Sequence, residues 1–188
     1  MTTPTEIEPD TKDWTWVLER PCDECGFDPR AVDVADLGRL ILANAEGWQP
    51  VLASAQAAQR PTPTTWSPTE YAAHVRDVHR MFFGRVNLML AEDDPVFANW
   101  DQDETALAER YDLQVPAEVA AGLSIAAGEV AAAYDAVLDD AWSRRGTRSN
   151  GSEFTVETIG IYHLHDVVHH LWDVRWVAGA QADGGMAG

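Results

Sequence analysis

Apolar residues recur at spacings of three and four along four stretches of the chain, the period of helices that bury one face. The first stripe runs from Asp36 to about Gln59 through Leu37, Leu40, Ile41, Ala45, Trp48, Val51, Leu52 and Ala55. Gly47 and Pro50 predict a kink midway. Residues 60–65 read as a loop, and the next helix announces its own start. In Ser67-Pro68-Thr69-Glu70 the serine is an N-cap, the proline takes the first helical position and the glutamate completes a capping box. Tyr71, Val75, Val78, Phe82, Val86 and Met89 form its stripe to about Ala91. His74 lies at the edge of that stripe and His79 on the far flank. Pro116 opens a third, alanine-rich helix to about Arg145, with Leu123, Val130, Tyr134, Val137, Leu138 and Trp142 at helical spacing. Thr155 caps the last helix, Val156 to about Val177, whose stripe is Leu164, Val167, Leu171 and Val174. Residues 92–115 are acidic and irregular, with one helical turn expected around Thr105–Arg110. A connection of that length is often functional, for example as a lid.

These periods predict an all-α protein: an antiparallel four-helix bundle over residues 33–178 with one long crossover connection. An irregular N-terminal arm, residues 1–32, precedes it, and a flexible tail, 179–188, follows. Residues 1–13 are polar and expected to fray. Asp13–Glu19 reads as a short strand or extended arm that lays Trp14 and Trp16 on the body. A length of 188 residues fits one domain, and 46% hydrophobic residues with eight tryptophans fit a globular one. No apolar run approaches a membrane span, and no basic segment followed by an apolar one opens the chain, so a cytoplasmic protein without membrane association is expected. The formal charge of −18, from 31 acidic and 13 basic residues, would repel a phosphate backbone, which argues against nucleic acid as a partner. Monomer and homodimer both stay open.

Chemistry concentrates in Ile161–Val174, which carries four of the six histidines. On a helical wheel His163 and His170 fall within about 60° of Val167 at the edge of the apolar stripe, with Asp166 one notch further round. His165 and His169 fall on the opposite side with Trp172 and Trp176. Asp166 and His170, spaced i,i+4, are neighbours on a face that borders the core, and a carboxylate and an imidazole so placed can share a divalent metal. His74 on the second helix supplies a third ligand, an arrangement that leaves a position for water or a thiol. The His165/His169 pair is the alternative ligand set, with His163 nearby. Zinc suits two imidazoles and a carboxylate best, and nickel, iron and manganese are also compatible. Arg144, Arg145 and Arg148 make the one basic cluster, a solvated loop or a weak site for an anionic group. Cys22 and Cys25 form a CxxC that reads first as structural or incidental, then as a redox pair, and last as half a metal site. No second CxxC or His pair lies at the short spacing a zinc knuckle uses.

Trp66-Ser-Pro-Thr-Glu-Tyr-Ala-Ala-His74, followed much later by His165-Asp-Val-Val-His-His-Leu-Trp-Asp-Val174, resembles the DinB-like superfamily of metal-binding four-helix bundles over about residues 33–177. It is similar in particular to the N-terminal branch of the mycothiol-dependent maleylpyruvate isomerases. The resemblance implies that His74 is the first ligand, Asp166 the acid and His170 the last. The isomerase branch has Glu in the acid slot, and other branches carry His-x-x-x-His. It also implies an enzyme in which the metal activates mycothiol or another small thiol against an electrophilic substrate, as a transferase or isomerase. A metal-bound thiol or water would then be the reacting group. The alternative is a metal- or small-ligand-binding stress-response protein without catalysis.

Overall fold

The computed structural model describes Ile7 and residues 12–184, of which 176–184 are described by their helical backbone alone. The expectations for residues 1–6, 8–11 and 185–188 lie outside the described residues. The first apolar stripe forms α1 (Leu37–Gly47) and a single further turn, α2 (Gln49–Leu52), broken at Trp48 beside Gly47 and Pro50. The helix predicted to reach Gln59 stops at Leu52. Beyond it the Ala57 carbonyl accepts hydrogen bonds from the Thr69 amide at 2.9 Å and the Thr69 hydroxyl at 2.7 Å, so this segment braces the next helix.

That helix, α3 (Pro68–Ala91), starts as the sequence dictates. Ser67 Oγ accepts from the Glu70 amide at 3.2 Å, and Glu70 Oε2 accepts from the Ser67 amide at 2.8 Å. The Arg60 guanidinium closes on the same, nearly fully buried carboxylate. Ser67→Ala should therefore cost about 1 kcal/mol of unfolding free energy. Glu70→Ala, which also removes the carboxylate that pairs with Arg60, should cost more, about 1–3 kcal/mol beyond the lost cap. Urea unfolding of the two variants beside the parent checks the order.

The connection after α3 holds strand β1 (Val96–Phe97), helix α4 (Gln102–Ala108) and a 3-10 turn at Tyr111–Leu113. Helix α5 (Pro116–Asp135) ends well short of Arg145. Leu138, expected on its buried face, is 71% exposed. A 3-10 turn at Asp139–Ser143 leads instead into strands β2 (Arg145–Arg148) and β3 (Glu153–Thr155). These pair antiparallel, and β1 joins β2 in parallel, with Val96 opposite Thr147 and Gly146 opposite Phe154. Gly146 is required there, since a Cβ would sit 2.8 Å from Met89 Cγ. The final helix, α6 (Val156–Gly184), continues past its expected end near Val177.

The principal packed pairs are α3 with α5, α1 with α5, α3 with α6, and α1 with α6, so α1 and α3 each lie against both α5 and α6. Their apolar stripes meet in one core that includes Leu37, Ile41, Trp48, Phe82, Leu123, Val130, Ile159 and Val167. Each such side chain fully removed from water contributes about 1.5–3 kcal/mol. The N-terminal arm forms a 3-10 helix at Thr15–Leu18, not a strand, and packs on α6. The CxxC lies in a tight turn: the Gly26 amide donates to Cys22 O at 2.9 Å, and φ +75° at Gly26 turns the chain back so that Phe27 O accepts from the Cys22 amide at 2.8 Å. No helix among the described residues is long and apolar enough to cross a membrane.

Candidate metal centre

The capping box fixes where α3 begins, and so where His74 meets α6. There, ligand atoms of His74, Asp166 and His170 lie within 4.8 Å of one another. Asp166 Oδ1 is 3.9 Å from His74 Nε2 and 3.6 Å from His170 Nε2. One turn along α6, Asp173 Oδ2 lies 3.2 Å from His170 Nδ1. A carboxylate in that place accepts the Nδ1 proton and leaves the Nε2 lone pair directed at the cluster. His74 is buried, between Trp66 at 5.4 Å and Trp100, which stacks on its ring at 5.3 Å and 11°. Burial, then the nearby His170, holds its pKa well below the usual imidazole range, so it is neutral and able to donate a lone pair.

These residues fit a divalent ion. Neither ring nitrogen of His74 has a hydrogen-bond partner among the described residues. A buried polar atom in that state is costly unless something else satisfies it. Two imidazoles and a carboxylate are a suitable donor set. The cluster borders a cleft of about 910 Å³ whose wall includes Trp66, Tyr71, Trp100, Arg148, Asp166 and His170.

Other expected site residues fall elsewhere. His165 and His169, on the side of α6 opposite its apolar stripe, are 3% and 6% exposed, because the arm covers them. Cys22 and Cys25 lie against them, and Cys22 Sγ is 3.7 Å from His169 Nδ1. Burial pushes the Cys25 thiol up to about 12 and the His165 imidazole down to about 3. His163 belongs to a core chain: its Nδ1 is 3.1 Å from the Tyr134 hydroxyl and its Nε2 is 3.0 Å from His79 Nδ1. His79, assigned to the far flank, is fully buried, because α3 packs against both α5 and α6.

The basic cluster divides. Arg144 donates to the carbonyls of Met89 and Glu92 and so closes the C-terminal end of α3. Arg145 is exposed on β2, outside the cleft. Arg148 alone faces the cleft, and it also bonds Asn150 and Ser152 at 3.0 Å. Trp100 and the orienting role of Asp173 are absent from the sequence reading. Asp173 could have been found from its i,i+3 spacing to His170. Trp100 sits in an irregular acidic segment with no periodic signal.

No curated protein matches the chain. Among solved structures, YfiT from Bacillus subtilis, described as a probable metal-dependent hydrolase with an unusual four-helix bundle topology, superposes with a TM-score of 0.69 at 18% identity. The alignment covers 83% of this chain and 94% of that one. At that identity the likeness is one of fold. The profile of the DinB superfamily matches residues 30–174, from just before α1 into α6, and the chain belongs to that superfamily.

Proposed function

We propose that this protein is a metal-dependent enzyme in which His74, Asp166 and His170 hold a divalent ion, zinc by preference, at the edge of the cleft. The observation that carries the reading is His74: a buried, neutral imidazole whose two nitrogens have no hydrogen-bond partner among the described residues, beside a carboxylate and a second imidazole. Three protein donors leave room for an exogenous ligand, and the ion would supply the Lewis acidity that makes a nucleophile available near neutral pH. Asp173 keeps His170 in the donating tautomer. Trp66, Tyr71 and Trp100 shield the donor set from bulk water and offer apolar walls to a substrate. Arg148, with Lys12 a second basic residue on the same wall, is positioned to meet an anionic group of substrate or cofactor.

The nucleophile is a low-molecular-weight thiol of the mycothiol type and the substrate a small electrophile, which makes the reaction a thiol transfer or isomerisation. The similarity of the two motifs to the mycothiol-dependent branch supports this choice. A hydrolase, with water as nucleophile, is the second reading, favoured by the fold shared with YfiT. Two measurements test both. Elemental analysis of untagged protein should show one more metal equivalent in the parent than in His74→Ala. Turnover of an electrophile panel should require added thiol, whereas thiol-independent cleavage of activated esters would favour the hydrolase. Equal metal in parent and variant would remove the proposed centre altogether.

A further inference from the structure

On the other flank of α6 a second set of donors converges. Cys22 and Cys25 from the arm's tight turn and His165 and His169, one helical turn apart, offer four ligand atoms that all lie within 4.8 Å of one another. The cysteines are free thiols, and Cys22 and His169 are 147 positions apart in sequence. Zinc bonds of about 2.3 Å to sulfur and about 2.0–2.1 Å to nitrogen set the S···N edge of a tetrahedron near roughly 3.5 Å. The Cys22 Sγ to His169 Nδ1 distance is 3.7 Å. His165 Nε2 is buried and has no hydrogen-bond partner among the described residues. Trp14 roofs both rings, with centroids 5.5 Å from His165 and 4.8 Å from His169, and Phe27 stands edge-on to His165 at 5.4 Å. The far nitrogen of His169 faces Glu24 at 3.5 Å and Asp173 at 3.7 Å, the carboxylate surround common behind a ligating imidazole.

We propose that Cys22, Cys25, His165 and His169 form a second metal site, a closed Cys2His2 centre for zinc that fastens the N-terminal arm to α6. Four protein donors complete a tetrahedron and leave no position for substrate, so the centre is structural. On binding, the two thiols release their protons to solvent and the resulting thiolates neutralise the dication. Its contribution to the fold is specific. It fixes Trp14 and Glu24 as part of the cleft wall and holds His169 beside Asp173. Asp173 turns one carboxylate oxygen to His169 and the other to His170, so it joins the two centres through a single side chain.

The site stands independently of the His74 centre, and cobalt(II) as probe separates them. Cobalt is titrated alone into the reduced, metal-free, untagged full chain. The expected result is a thiolate-to-cobalt charge-transfer band with tetrahedral visible absorption, saturating at one equivalent. His74→Ala should keep that band. Cys22→Ser and Cys25→Ser should each lose most of it, and His165→Ala or His169→Ala should shift the visible bands and weaken binding at least tenfold. Absence of the charge-transfer band in the reduced parent overturns the proposal and leaves the CxxC as a redox or packing element. A band indifferent to both histidine substitutions overturns the four-ligand assignment. Should a cysteine variant fail to fold, the parent as purified still decides: an organomercurial that blocks its thiols should release one zinc per chain, and release of none counts against the site.

Discussion

His74→Ala and His170→Ala should each weaken zinc at the His/Asp centre by more than about a hundredfold, beyond the tenfold-to-hundredfold loss that residues merely supporting a ligand produce. Each removes one of three protein donors, and no other His, Cys, Asp or Glu in a described cluster is grouped with them to replace it. The thiolate-rich centre on the other flank of α6 should retain its ion in both variants, so metal content falls by one equivalent and not to zero. Asp166 refines the test. Asp166→Asn keeps the shape but removes the charge, and should weaken binding at least about tenfold. Asp166→Glu should be much milder, since a longer carboxylate can still reach between His74 Nε2 and His170 Nε2, which lie 3.9 and 3.6 Å from Asp166 Oδ1. Zinc titration at about pH 7, where ligand protonation competes little, gives the ranking. Equal affinity in the parent and all four variants would place the ion elsewhere.

The convergence of His74, Asp166 and His170 was legible because it depends on two things that sequence carries well. One is the phase of a helix, set by Leu164, Val167, Leu171 and Val174. The other is the start of α3, set by Ser67 and Glu70. The wheel gives the flank of α6 on which His165 and His169 lie, but not their burial. It gives a side chain's direction but not what covers that face, and the cover comes from Trp14, Cys22 and Cys25, far away in the chain. The same gap hid the best use of the CxxC, whose partners were sought at short spacing. His79 was misplaced because a helix with neighbours on two sides buries more than one stripe. The end of α5 misled because Val137, Leu138 and Trp142 continue its helical spacing past Asp135. What stops the helix is tertiary: β2 pairs with β1 in parallel, a partner about 50 residues away that no local pattern announces.

His79→Leu should flatten the acid limb of the stability curve. His79 is 0% exposed, and burial drives its pKa down from 6.5 to about 3. In the folded protein it therefore stays neutral at pH values where the unfolded chain, with an ordinary imidazole, takes up a proton. The stability this group contributes is complete above about pH 6.5 and declines as pH falls towards about 3, at about 1.4 kcal/mol per pH unit. Leucine abolishes that decline and exacts a different cost. It leaves His163 Nε2 without the ring that lies 3.0 Å from it, a loss of about 1–3 kcal/mol that does not depend on this titration. At pH 7.5 the variant should be the less stable protein. Between pH 6.5 and pH 5 the gap should shrink by about 2 kcal/mol, a window of about 1.5 pH units at that slope. His163→Ala removes the middle of the Tyr134–His163–His79 chain and opens a cavity against Phe82, whose ring stacks on it at 4.4 Å. It should cost roughly 3 kcal/mol or more at pH 7.5, and less in acid, because burial also holds the His163 pKa well below the usual imidazole range. Urea unfolding of parent and His79→Leu at pH 7.5, 6.5 and 5 is the decisive measurement. Parallel curves would mean that His79 gains its proton in the folded state as readily as in the unfolded one, and that the buried chain reorganises around the charge.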